Sequence, residues 1–353
     1  FILVLCVLIL GLVSNLSMFS TDGGEFLYHT KSHLIRFVVF FILMLFLSFF
    51  SLRFWHSTAY LFYIVVLGFL IWASLYGVTA SGSQRWINLY FINLQPSELM
   101  KIAIIVCFAR FFHREQITSV SSFKNIIVSL AILVMPIVLV VSQPDLGTSI
   151  LIAASGLIVL WLAGLNIRYF VYSGLILLVS FPFVISFLKP YQKLRILSFF
   201  NPDRDPLGAG YQIIQSKIAV GSGGLLGKGF LQGTQSYLEF LPEKHTDFIF
   251  TLFSEEQGFV GSVFLLIIYG ILIYRIIKIG SISRSYFGRL FCYGFGSAIF
   301  IYIAVNMSMV LGLLPIVGSP LPIMSYGGSS MLATMIGLSI VMSTKIYHKQ
   351  IIN

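Results

Sequence analysis

The chain has 353 residues, of which 58% are hydrophobic and only 10% are charged, and its formal net charge is +10. A soluble domain carries about 25% charged residues, so this composition excludes a water-soluble fold. The basic residues are spread over many connecting segments and form no single stripe, so we attribute the charge to membrane topology and predict no nucleic-acid partner.

Apolar runs of about 20 residues, long enough to cross a bilayer, recur along the chain. They lack the period-two alternation of barrel strands and therefore predict helices. We predict an all-α integral membrane protein, a single domain over 1–353 with about ten transmembrane helices and a long extracytoplasmic loop, 189–246, between helices seven and eight. The helices are predicted near 1–20, 34–52, 57–80, 96–112, 126–142, 146–164, 168–188, 247–274, 289–312 and 328–346.

The distribution of Lys and Arg over short loops predicts the orientation, because cytoplasmic loops carry the excess. The ends on one side of the membrane carry Arg53, Arg110, Arg114, Lys124, Arg168, Arg275, Lys278, Arg284, Arg289, Lys345 and Lys349. The short loops on the other side carry Lys31, Arg36, Arg85 and Lys101. The first side is therefore predicted to be cytoplasmic and to hold both termini, and 189–246 is predicted to face outward.

The first apolar run is followed by a second span and by no polar mature domain, so it is predicted to be a retained helix and not a cleaved signal peptide. Because the sequence begins with Phe1, we expect a further segment before it. Cys6, Cys107 and Cys292 lie in apolar runs without CxxC spacing or nearby His ligands, and we interpret them as packing residues.

Three predicted helices begin at the outer face with a carboxylate in their first turn: Glu98, Asp145 and Asp247. Simple capping explains each of them, because acids stabilise the positive N-terminus of a helix; a chemical role is the alternative. Glu98 and Lys101 share a helix face and are expected to form an ion pair. The same pair, with Arg85 nearby, is also suited to line a groove for a lipid headgroup.

The outer segment contains a glycine-rich run, GSGGLLGKG at 221–229, which does not match a nucleotide-binding P-loop. Its backbone N–H groups, with Lys217, Lys228 and Lys244, are able to cradle a pyrophosphate. A flexible loop with solvated lysines explains the same residues. Long loops are usually functional, which favours the first interpretation.

Two further features are predicted near the outer half of the membrane. Glu255 falls inside a helix, where an acid is either functional or neutralised by protonation or by a Lys or Arg partner. The run 313–330 contains too many Pro and Gly residues to be helical and is predicted to form a re-entrant or capping loop. Such backbone requires protein or a cavity around it, so we expect a cavity between 313–330 and 189–246.

Several motifs are specific enough to indicate a family: GSQRW at 82–86, QPSELMK at 95–101, QPDLGTS at 143–149, DPLGAGY at 205–211, the run 215–229, GTQS at 233–236, LEFLPEKHTDFIF at 238–250 and PLPIMSYGGS at 320–329. In these motifs the chain resembles the shape, elongation, division and sporulation (SEDS) family over nearly its whole length. The letters at 233–236 and 238–243 are similar to the elongation branch and not to the division branch. Gln257 departs from the family pattern, in which Leu is more usual.

The resemblance implies a glycosyltransferase that polymerises lipid II, a disaccharide-pentapeptide on undecaprenyl pyrophosphate, into glycan strands during cell elongation. It implies a location in the bacterial cytoplasmic membrane, with the active site facing outward, and a class B penicillin-binding protein as partner. The acid that matches Asp247 is essential in this family, which favours a catalytic role over capping. A sugar hydroxyl must lose its proton as it attacks an anomeric carbon, and a carboxylate can accept that proton.

The leaving pyrophosphate requires positive charge, from basic side chains or from a divalent metal cation; the sequence requires no other cofactor. The candidate substrate-binding residues are polar and lie near the outer face: Arg85, Glu98, Lys101, Asp145, Arg204, Lys217, Lys228, Lys244 and His245.

Two other functions are consistent with the sequence. A lipid II flippase would explain polar residues such as Glu255 inside helices. A membrane scaffold for the penicillin-binding protein would explain the apolar surface, but it gives no reason for an outer segment of this length and composition.

Overall fold

A computed structural model of the chain describes residues 1–80, 83–88, 93–113, 120–187, 190–201, 208–234 and 243–352. The apolar runs form helices there, because a helix pairs its own backbone groups without help from water. The helices are α1 (Ile2–Thr21), α2 (Tyr28–Ser48), α3 (Leu52–Tyr76), α4 (Pro96–Phe111), α5 (Phe123–Ser142), α6 (Leu146–Leu162), α7 (Ile167–Phe187), α8 (Pro190–Phe200), α9 (Ala209–Ser222), α10 (Ile249–Ile282), α11 (Tyr286–Val310) and α12 (Gly328–Ile346).

The predicted all-α membrane fold is confirmed. Seven of the described helices, namely α1, α2, α3, α5, α10, α11 and α12, are long and apolar enough to cross a membrane. The helices α4, α6 and α7 lie at the positions of the remaining predicted spans. Boundaries differ by a few residues: α2 begins at Tyr28 and not near residue 34, and α10 continues to Ile282 and not to 274. Cys6, Cys107 and Cys292 are buried and unpaired, as expected of packing residues.

The core is built around α4, which packs against α3, α6, α11 and α12. Residues 96–109 of α4 are all buried, including the charged Glu98 and Lys101. A helix that is buried on every face needs neighbours on every face, which explains the central position of α4. By contrast, α7 exposes large apolar side chains such as Ile176 and Val179 and lies at the periphery, where lipid would cover it.

A small antiparallel sheet follows α3, where the sequence predicted continued helix to residue 80. The helix ends at Tyr76, and the chain turns at Gly77, where a Cβ atom would lie 2.3 Å from the Ala73 carbonyl oxygen. The β-branched residues that follow suit a strand better than a helix. The strands are β1 (Val78–Ala80), β2 (Ser83–Asn88) and β3 (Asn93–Leu94), in the order β1-β2-β3.

The outer segment 189–246 is not only a loop, because it contains α8 and α9. The amphipathic α9 buries Ile213 and Ala219 and packs against α10. The long connection predicted between the seventh and eighth spans therefore contains two helices, which are too short and too polar to have been recognised as spans.

The glycine-rich turn at 223–229 packs against a kink in α10. The kink is at Gly258, whose φ of 64° and ψ of −161° belong to a region that only glycine adopts readily. Four backbone hydrogen bonds of 2.9 to 3.1 Å join the turn to residues 255–260 of α10; in one of them the Phe259 N–H donates to the Gly224 carbonyl. The turn thus replaces helical hydrogen bonds that the kink removes.

Candidate functional site

A cavity of about 1160 Å³ opens at the N-terminal ends of α4 and α6, two of the central helices. Its wall combines the start of α4 and α6, strand β2, helix α8 and the non-helical connection at 311–327. This is the predicted cavity between 313–330 and the outer segment, and the described residues confirm it. Its charged lining residues are Arg36, Arg85, Glu98, Asp145, Arg195, Glu243 and Asp247.

Asp247 lies on the cavity wall, immediately before α10. The helix begins at Ile249, and its N-cap residue, Phe248, makes no side-chain cap hydrogen bond. Asp247 therefore stands one position outside the cap, and its carboxylate is directed to the cavity wall near Gly318, where a Cβ atom would lie 3.5 Å from Asp247 Oδ2. The small residue at 318 leaves room for a reacting group beside this carboxylate.

The surroundings of Asp247 raise the pKa of its carboxyl group to about 7. Burial among protein atoms is the largest cause, and the carboxylates of Glu243 and Asp145 act in the same direction, whereas Arg85 and Arg195 lower the pKa. A carboxylate with a raised pKa is a stronger proton acceptor than an ordinary one.

Asn306 of α11 fixes the position of Asp247, and sequence reasoning missed it. Its side-chain amide is fully buried and donates to the Asp247 carbonyl at 2.9 Å and to the Ser319 carbonyl at 2.6 Å. One side chain thus joins the Asp247 turn to the connection between α11 and α12. The available signal was a lone Asn in an otherwise apolar helix, since a polar residue inside a membrane helix is expensive.

Asp145 is both a cap and an ion-pair partner. Its Oδ1 accepts from the Thr148 N–H at 3.1 Å, so the capping interpretation is confirmed for this residue. Its Oδ2 accepts from Arg85 at 3.0 Å and from the Gln95 side chain at 3.1 Å. These contacts tie β2 to the starts of α4 and α6 and hold Arg85 at the cavity wall.

The predicted ion pair between Glu98 and Lys101 is confirmed, with an N–O distance of 2.8 Å and both side chains buried. Lys101 Nζ also lies 4.5 Å from the ring centroid of Tyr302, a cation–π distance. Glu98 lines the large cavity, and Lys101 lies behind it against α11. The pair therefore shapes the cavity floor, with Glu98 as the side chain that a ligand would meet.

The predicted outer lysines lie elsewhere among the described residues. Lys228 forms a 2.6 Å ion pair with the buried Glu255, so the acid inside α10 has the basic partner that the sequence allowed for. Lys217 lies against Gly312. The described residues that line the cavity do not include Lys217, Lys228 or Lys244. The predicted Arg204 falls in 202–207, outside the described residues.

His245 lies beside the cavity, stacked on His29 with ring centroids 4.2 Å apart. Its carbonyl accepts from the Tyr326 N–H at 2.8 Å, and its Nδ1 lies 3.0 Å from the Thr21 hydroxyl oxygen. Burial, as the largest cause, and the charges of His29 and Lys244 together lower the pKa of His245 to about 4, against the opposite effect of Asp22. At neutral pH this imidazole is therefore uncharged.

The family model FTSW_RODA_SPOVE, described as a cell cycle protein, matches residues 1–350. Peptidoglycan glycosyltransferase MrdB of Escherichia coli strain K12 is 47% identical over 290 residues, which cover 82% of this chain and 78% of MrdB. Stage V sporulation protein E of Bacillus subtilis strain 168 is 37% identical over 273 residues, which cover 77% of this chain and 74% of that protein.

Solved structures resemble the chain over almost its whole length. One comes from work on the structural coordination of polymerization and crosslinking by a peptidoglycan synthase complex; it has a TM-score of 0.84 and 30% identity, covering 99% of this chain and 98% of that chain. The rod shape determining protein RodA of Thermus thermophilus has a TM-score of 0.74 and 24% identity, with coverage of 99% and 97%, and shares the fold.

Proposed function

The chain belongs to the FtsW/RodA/SpoVE family of cell cycle proteins, and we propose that it is a peptidoglycan glycosyltransferase of the elongation branch with Asp247 as its general base. The observation that supports this proposal most strongly is the position of the Asp247 carboxylate on the wall of a large outer cavity. The hydrogen bond from Asn306 to the Asp247 carbonyl fixes that position. We infer lipid II as the substrate, because the cavity offers space beyond that of ordinary small-ligand pockets, about 300–1,000 Å³, and combines apolar with charged walls.

The proposed reaction joins an acceptor sugar hydroxyl to the anomeric carbon of a lipid-linked donor. The hydroxyl oxygen forms the new C–O bond, its proton passes to the Asp247 carboxylate, and the bond from the anomeric carbon to pyrophosphate breaks with its electron pair on the phosphate oxygen. Attack opposite the leaving group inverts the anomeric carbon. A base at the attacking hydroxyl contributes about 10²–10⁴-fold to such a transfer.

Three arginines are proposed to hold the pyrophosphate: Arg36, Arg85 and Arg195, all of which line the cavity. The Arg195 guanidinium donates to the Ile316 carbonyl at 3.3 Å, and the Arg36 guanidinium lies 4.8 Å from the Tyr326 ring centroid. Arginine pairs with phosphate through two parallel N–H donors. Roles for Arg204, Lys217, Lys228 and Lys244 at this group remain predictions from the sequence.

We infer an outward-facing active site in the bacterial cytoplasmic membrane, with both termini on the cytoplasmic side, because the Lys and Arg residues of the short loops concentrate at the end opposite the cavity. A class B penicillin-binding protein is the proposed partner. A similar solved chain belongs to work on a complex that coordinates polymerization with crosslinking, which supports this pairing.

A reconstitution experiment separates the polymerase from the flippase. The purified chain and its penicillin-binding partner are supplied with labelled lipid II in the presence of moenomycin, which suppresses polymerases of the other family. Long glycan is expected. Headgroup translocation across vesicles without any glycan would refute the proposal and favour the flippase. The pairing of Glu255 with Lys228 already supplies a structural role for the acid that suggested transport.

A further inference from the structure

Three potential metal ligands converge at the outer end of α1 and α2. A carboxylate oxygen of Asp22 and one ring nitrogen each of His29 and His245 lie within 4.8 Å of one another. They come from three separate parts of the chain: the residue after α1, the first turn of α2 and the turn before α10. We propose that Asp22, His29 and His245 bind a divalent transition-metal ion, for which Zn²⁺ is the best match.

The Asp22 carboxylate is buried and has no Lys or Arg partner in the described part of the chain. Its side chain is only 3% exposed, and its one ion-pair contact is a long 3.4 Å approach to His29 Nδ1. Buried charges are normally paired or bound to a metal. A distance of 3.4 Å is beyond a good N–H···O hydrogen bond, so a cation between the two groups would satisfy both better than they satisfy each other.

Hydrogen bonds from neighbouring residues hold Asp22 and His245 in position. In metal sites, similar hydrogen bonds orient the residues that bind the ion. Asp22 Oδ2 accepts from the Thr30 N–H at 2.9 Å and from the Thr30 hydroxyl at 2.7 Å, which leaves Oδ1 on the histidine side. The Thr21 hydroxyl donates to the Met18 carbonyl at 2.7 Å, so it accepts the Nδ1–H of His245. His245 then keeps a lone pair on Nε2, the arrangement found in metal-bound imidazoles.

Two imidazoles and one carboxylate are a ligand set that binds Zn²⁺ and leaves a coordination position open. With Zn–N and Zn–O bonds of about 2.0–2.2 Å, tetrahedral ligand atoms lie about 3.4 Å apart, so the side chains have to approach by roughly 1 Å. The stacked rings of His29 and His245 also have to turn, so that the lone pairs of both point at the ion. His29 itself lines the large cavity, and its side chain is 41% exposed. The open position would therefore face the cavity, where an oxyanion ligand is able to reach the ion.

Direct metal binding tests this site without relying on the proposed glycosyltransferase activity. The purified full chain is stripped with EDTA and titrated with Zn²⁺ against a chromophoric chelator. One tight equivalent is expected in the wild type and in the control His348→Ala, which changes a half-buried histidine in the C-terminal segment after α12. Asp22→Asn and His29→Ala are expected to weaken binding by at least tenfold.

A ligand swap distinguishes loss of the site from misfolding. In His29→Cys the thiolate replaces one imidazole, so binding is expected to persist, and Co²⁺ loading should add a thiolate-to-cobalt charge-transfer band. Absence of a tight equivalent in the wild type would overturn the proposal. So would wild-type affinity in Asp22→Asn and His29→Ala, or a cobalt complex of His29→Cys without the thiolate band.

Discussion

At the scale of single residues, the reactivity of Asp247 depends on how its backbone is held. The turn that carries it has no helix cap of its own, and the Asn306 amide supplies a hydrogen bond to its carbonyl from a different helix. The same amide binds the Ser319 carbonyl and so fixes the opposite wall near Gly318. The short turn that carries the Asp247 carboxylate is thereby anchored to α11.

Replacing Asn306 by Ala is expected to leave two buried carbonyls without this donor and to let the Asp247 turn move. Each lost partner costs about 1–3 kcal/mol of folding stability, and a displacement near 1 Å lowers turnover by up to about 10²-fold. Steady-state polymerisation should show a lower kcat with little change in KM. Ser339→Ala, which removes a buried hydroxyl bonded to the Ile336 carbonyl in α12, is the matched control and should keep its turnover. Equal turnover in both variants would contradict the positioning role.

At the scale of elements, the glycine-rich turn and the kinked α10 form one unit. A Cβ atom at Gly223 would lie 2.2 Å from the Ser254 carbonyl oxygen, and one at Gly227 would lie 2.0 Å from the Glu256 carbonyl oxygen. The glycines are therefore explained by close backbone packing. Lys228 adds an ion pair to Glu255 at the same contact. The unit supports the N-terminal half of α10, and Asp247 lies just before the start of that helix.

Two glycines of the same helix give a matched test of this unit. Gly258→Ala requires a positive φ that alanine adopts poorly and places a Cβ 2.2 Å from Gly227 N, so it should destabilise the chain by about 1–3 kcal/mol or more. Gly270→Ala meets no atom within 4 Å and should be neutral or stabilising by up to about 1 kcal/mol. Thermal unfolding in detergent measures both. Indistinguishable midpoints for the two variants would show that the kink is not required.

Sequence patterns predicted the elements better than their contacts. Hydropathy located the spans because lipid selects for long apolar runs, and spacing alone gave the Glu98–Lys101 pair because both residues lie on one helix. The strands after Gly77 were missed, since short β-branched stretches next to a span continue its apolar pattern. The contact of Asn306 with Asp247 and the approach of Asp22 to His245 could not be predicted, because they arise where segments distant in the sequence meet.

At the scale of the whole molecule, the two ends of the helices differ in the residues they carry. The cavity, the Asp22 cluster and the start of α10 lie at one end, and the C-terminal segment, most of the short-loop basic residues and the Ser51 cap of α3 lie at the other. A polymerase that uses a lipid-anchored donor needs this polarity, because its product must form on one face only.

Cysteine accessibility tests the proposed orientation. The native cysteines are buried, so the background reaction with a membrane-impermeant maleimide should be low. Glu25→Cys places an exposed thiol between α1 and α2, at the cavity end, and should react in intact spheroplasts. Lys349→Cys, exposed at the other end, should react only after permeabilisation. The reverse pattern would place the cavity in the cytoplasm and contradict the proposed function.

The most direct test of the central claim is the rate at which Asp247→Asn, with its penicillin-binding partner, converts labelled lipid II to glycan. The substitution keeps the size of the side chain but removes the proton acceptor, so the rate should fall by about 10²–10⁴-fold while lipid II binding is retained. Glu25→Gln, which neutralises an exposed acid at the same end, should keep the wild-type rate. Glycan formation by Asp247→Asn at the rate of Glu25→Gln would contradict the assignment of Asp247 as the base.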